Sequence, residues 1–132
     1  MSVLLTDFHL PPDVVSGQRF SDASSLIAVL ERFTRRKPEF FELKSETGYT
    51  LMIGVASERF CVQHSSVDGD PPYLVAVGFP AIEAEKVVDF MMQGSLTEVP
   101  AHLTVTKEDA TKIAIHFMET GERLMNVTWE AI

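Results

Sequence analysis

Cysteine is almost absent from this chain: Cys61 is the only one in 132 residues, so no disulfide can close within it. A lone thiol suits a reducing compartment, and the expected location is the cytoplasm. Long apolar runs are missing as well. None approaches the roughly 18–20 residues that a membrane-spanning helix requires. Met1–Leu5 is a short apolar start, interrupted soon after by Asp7 and His9, without the basic flank of a secretion signal. No membrane association is expected. Basic charge is scarce, with 11 Lys and Arg against 19 Asp and Glu and a net charge of −8. Nucleic-acid binding depends on cations that neutralise phosphates, so the chain is not expected to bind nucleic acid directly.

Recognisable chemistry is also missing. His9, His64, His102 and His116 are not paired with one another or with Cys61 at ligand-like spacing. Cys61 and His64 are three apart in an alternating segment, which sends them to opposite faces of a strand. Ser65 and Ser66 follow His64 without a G-x-S-x-G elbow. Neither phosphate-cradling glycine motif occurs. The expectation is a non-enzyme with no cofactor and no metal. A hydrolase would need Cys61, His64 and an acid to converge in three dimensions.

What is present is well-punctuated secondary structure. Val3–Leu5 reads as a short strand. Ser21 or Asp22 can cap a helix whose Leu26, Val29, Leu30 and Phe33 recur at helical spacing. Pro38 is expected to end it, leaving Arg35, Arg36 and Lys37 at the negative end of the helix dipole. Strands are then expected over Phe40–Lys44, Tyr49–Val55, Arg59–His64 and Tyr73–Val77. Ser45-Glu46-Thr47-Gly48, Ser57-Glu58 and a turn-rich Ser65–Pro72 connect them. Such short connections favour an antiparallel meander. Gly78–Glu85 reads as a loop and Lys86–Met92 as a strand with Val88, Phe90 and Met92 on one face. A second helix starts at Thr106, buries Ala110, Ile113, Ala114 and Phe117, and ends at Gly121. Arg123–Trp129 is the expected last strand, with Trp129 as a core anchor and Glu130 facing water. The fold expected is α+β: one domain over residues 1–132, a mainly antiparallel sheet with two principal helices packed against it.

The C-terminal third resembles the first family of immunity proteins found beside polymorphic bacterial toxins. The resemblance is carried by a hydrophobic strand followed by glycine (Val88–Met92, Gly94), an acid and a proline (Glu98, Pro100), and a capped helix with an alanine and a phenylalanine (Thr106, Ala110, Phe117). Thr120-Gly121 and a strand ending in Trp129-Glu130 complete it. Phe79–Val87 carries no feature of that pattern. The resemblance implies a non-enzymatic protein that binds a cognate toxin, such as a nucleic-acid deaminase or another cytotoxic enzyme, inside the producing cell.

Charge and loops indicate where such a partner would sit. Between Ser65 and Pro100, Asp68, Asp70, Glu83, Glu85, Asp89 and Glu98 face a single base, Lys86. This acidity has two readings: solubility, or a surface for a basic partner. On the second reading the toxin-binding candidates are Asp68, Asp70, Tyr73, Glu83, Glu85 and Asp89, with Tyr73 as an aromatic anchor. An alternative function is a small-molecule-binding module with a pocket between sheet and helices.

Overall fold

The central strands bury side chains on both faces, and this dictates the layering. In β3 (Glu39–Ser45), Phe41 and Leu43 are fully buried on one face while Phe40 is buried on the other. A computed structural model, which describes residues 1–78 and 86–132, shows what covers each face. β1 (Val3–Asp7), β2 (Arg19–Phe20), β3, β4 (Tyr49–Ala56), β5 (Arg59–Ser66), β6 (Leu74–Val77), β9 (Val105–Thr106) and β10 (Thr128–Ala131) form one antiparallel sheet. Its order is β10-β6-β5-β4-β3-β1-β2, with β9 paired to the other end of β5. The expected meander is the run β3-β4-β5-β6. The protein is α+β, as expected.

Two helices cover one face. α1 (Ala23–Phe33) begins where Asp22 accepts a bond from the Ser25 amide at 3.0 Å, and it buries Leu26, Val29, Leu30 and Phe33. α2 (Lys107–Thr120) begins where Thr106 Oγ1 accepts from the Asp109 amide at 3.2 Å. It buries Ala110, Ile113, Ala114, Phe117 and Met118, and ends on Gly121 in the left-handed region at φ 72°. These residues meet Val3, Leu5, Leu51, Ile53, Phe60 and Val62 in one core. Each fully buried Leu or Phe there contributes about 1.5–3 kcal/mol. No helix among the described residues is long and apolar enough to cross a membrane.

A β-hairpin covers the opposite face. β7 (Val87–Met92) pairs with β8 (Ser95–Pro100) as a separate two-stranded sheet. Its Phe90 and Val99 pack with Phe40, Cys61, Val75 and Leu103 in a second core. Gly54 in β4 permits this close approach: a Cβ there would lie 2.7 Å from Phe40 Cε1 and 2.9 Å from Phe90 Cδ1.

Two expectations need correction. α1 ends at Phe33, five residues before Pro38, because Thr34 Oγ1 turns back to the Glu31 carbonyl at 2.6 Å and the chain continues in tight turns. The last strand is Thr128–Ala131 rather than Arg123–Trp129; Leu124 and Val127 pack on the helix-side core from an irregular segment. β2, β8 and β9 are strands that the sequence pattern does not announce. Glu130, by contrast, is exposed as expected, and Trp129 is partly buried, donating from Nε1 to the Leu124 carbonyl at 3.0 Å. The Gly78–Glu85 loop lies, beyond Gly78, outside the described residues.

Candidate binding surfaces

Asp68, Asp70 and Tyr73 are brought together by the connection between β5 and β6. The turn begins with Ser66, whose Oγ accepts from the Asp68 amide at 3.2 Å and whose carbonyl accepts from the Gly69 amide at 3.0 Å. Gly69 takes φ 79°, a conformation that side chains with a Cβ rarely adopt. The Tyr73 hydroxyl donates to the Gly69 carbonyl and closes the loop on itself. Tyr73 is therefore half-buried with its polar tip engaged, and serves the loop's shape as well as its surface. Asp68 and Asp70 are exposed, and among the described residues no cation lies within ion-pair distance of either.

Asp89 lies elsewhere, exposed on β7. The structure thus divides the sequence-predicted set between a loop and a hairpin. Glu83 and Glu85 fall outside the described residues. Glu98, absent from that set, stands directly opposite Asp89 in the hairpin register and is also exposed. The signal that could have found it is the Gln93-Gly94 turn, where both residues take positive φ, 51° and 87°.

Beside the acidic loop, Asp70 lines a pocket of about 150 Å³ with Tyr49, His64, Glu122 and Arg123. His64 is 5% exposed, its ring 4.8 Å from that of Tyr49 and 5.9 Å from that of Phe117. Burial, and then the charge of Arg123, push its pKa from 6.5 down to about 4, so the imidazole is neutral at physiological pH. Its Nε2 is buried and has no hydrogen-bond partner among the described residues. Cys61 faces the hairpin on the other side of β5, where burial pushes its thiol up to about 12. Cys61 and His64 therefore do not form a nucleophile–base pair. Among the described residues no group of three or more His, Cys, Asp or Glu could hold a metal ion.

An apolar cleft of about 240 Å³ runs between sheet and hairpin, lined by Met52, Cys61, Val75, Val99, Leu103 and Ile132. It lies on the face opposite the helices, not between sheet and helices.

No curated protein matches the chain in sequence. The sequence pattern of the family described as Immunity protein Imm1 matches residues 21–131, a span that takes in everything from α1 to β10. The chain belongs to the Imm1 family of immunity proteins.

Proposed function

We propose that residues 1–132 act in the cytoplasm as one binding domain that neutralises a cognate toxin of a polymorphic toxin system by direct protein–protein contact, without catalysis. Membership of the Imm1 family implies an immunity protein directed against a toxin. The toxin class that fits the surface is one acting on nucleic acid, a deaminase or a nuclease, because such enzymes present a basic substrate cleft. Asp68, Asp70 and Tyr73 form one contact region, Asp89 a second, and Glu83 and Glu85 belong to the same acidic stretch. The supporting observation is that Asp68 and Asp70 are exposed on a hydrogen-bonded turn with no cation paired to them among the described residues. Their charge is available to steer a basic partner and to fix its orientation.

Co-expression with the toxin domain encoded beside this gene is the direct test. Growth should be restored and the two proteins should co-purify. Persistent toxicity alongside abundant folded protein would sink the reading. The apolar cleft under the hairpin favours a second reading, a small-molecule-binding module. Native mass spectrometry of the purified protein would reveal a retained ligand as added mass.

A further inference from the structure

The β7–β8 hairpin has two faces with different chemistry. Val88, Phe90 and Met92 pack toward the sheet, so alternation turns Val87, Asp89 and Met91 outward. Register places Pro100 opposite Val87, Glu98 opposite Asp89 and Leu96 opposite Met91. The outer face therefore carries a central pair of carboxylates, flanked by Val87 and half-buried Pro100 on one side and by half-buried Met91 and Leu96 on the other. Val87 is 52% exposed and Leu96 61% exposed.

This arrangement is unfavourable for the protein alone. Like charges directly opposite on neighbouring strands repel. No cation among the described residues lies within ion-pair distance of Asp89 or Glu98. The exposed side chains of Val87 and Leu96 beside them lose nothing by being covered. One kind of occupant relieves both costs. Cross-strand neighbours hold their Cβ atoms about 4.5–5.5 Å apart, so two carboxylates can share the donors of one guanidinium or ammonium group. Apolar side chains around that cation would cover the flanking pairs.

We propose that the outer face of this hairpin is a docking surface for a basic protein partner, receiving an arginine or lysine side chain between Asp89 and Glu98 with apolar residues on either side. Resting on the immunity reading above, the partner is the toxin, and the hairpin supplies an anchor distinct from the Asp68–Tyr73 loop. Stability is traded for binding at this face, which gives it a signature that a structural role lacks.

The test uses the full chain and the purified toxin domain neutralised in co-expression. Asp89→Asn with Glu98→Gln keeps shape and removes both charges. The expected result is binding weakened by about tenfold or more, with a thermal midpoint equal to or above that of the unsubstituted protein. Hydrogen exchange in the unsubstituted complex should show protection at residues 87–91 and 96–100. Undiminished affinity in the folded double variant, or protection confined to other segments, overturns the docking surface and leaves the immunity reading standing. Failure of the unsubstituted protein to bind any toxin that it protects against overturns direct binding, and the docking surface with it.

Discussion

Arg36 donates to both carboxylate oxygens of Asp7, each bond 2.7 Å long, across 29 residues of sequence. The Asp7 side chain is completely buried, and the guanidinium lies 3.7 Å from the centroid of the Phe33 ring. The Asp13 and His9 amides also donate to Asp7, at 2.8 and 3.2 Å. One carboxylate therefore joins β1, the loop after it and the turn after α1. Removing Arg36 leaves a buried charge without its counterion. Arg36→Ala should cost about 3–5 kcal/mol, read as a lower urea midpoint with an unchanged slope.

The same pair sets the acid limit. Burial pushes the Asp7 carboxyl up, but the bonds from Arg36, Asp13 and His9, together with the Arg36 charge, outweigh it and leave its pKa below the usual 3.8. A carboxyl depressed in the folded state stabilises fully above its unfolded value. That contribution is lost as pH falls from about 3.8 through the lower folded value. Asp7→Asn should be less stable near neutrality and should lose less on acidification below that point.

His64 acts in a higher pH window. Its folded pKa of about 4 lies below the 6.5 of an unburied imidazole, so between these values the unfolded chain binds the proton more readily. Stability should be unaffected by this group above pH 6.5 and should fall as pH drops toward 4, by up to about 3 kcal/mol. Among the described residues Nε2 has no hydrogen bond to lose, and the ring sits among Tyr49, Phe117 and Trp129. His64→Phe should therefore fold and flatten this limb of the stability profile. An unchanged slope between pH 6.5 and 4 in that variant would assign the limb to another group.

Gly54 controls how closely the hairpin approaches the sheet. Phe40 and Phe90 occupy the space a Cβ would need, their centroids 5.4 Å apart. Gly54→Ala forces both buried rings to shift, an overpacking cost of about 1–3 kcal/mol. Amide exchange across β7 and β8 should accelerate more than exchange in α1 or α2. Uniform acceleration through the whole chain would mean that the hairpin opens only with global unfolding.

Both helix starts and the end of α2 were legible because their signals are local: Asp22, Thr106 and Gly121 each act on backbone groups within four residues, whereas the end of α1 carries no such signal. The meander was legible because its turns are short and its strands alternate. β8 was not, because Gln93 is an uncommon residue at positive φ and the apolar Leu96 and Val99 of Ser95–Pro100 are three apart, on opposite faces, so no alternation marks the strand that sets Glu98 opposite Asp89. The role of Arg36 was hidden for the converse reason. Three consecutive bases near a helix end already had a sufficient local explanation, whereas the partner of Arg36 lies in β1. Local chemistry places elements, but the pairings that build a surface depend on register and on contacts distant in sequence.

Charge reversal at the acidic loop separates steering from structure. Asp68 and Asp70 are exposed, and the bonds that shape the turn use the Asp68 amide, the Gly69 amide and carbonyl, and the Tyr73 hydroxyl rather than either carboxylate. Asp68→Lys with Asp70→Lys should therefore leave the thermal midpoint unchanged. Against a basic toxin it should slow association by about tenfold at low salt and flatten the dependence of the rate on ionic strength. The dissociation rate should change less, because exposed charges act mainly on encounter. Stopped-flow mixing at low and high salt measures both. Association kinetics that match the unsubstituted protein at every salt concentration would remove this loop from the contact surface, leaving the hairpin as the candidate for the electrostatic contact.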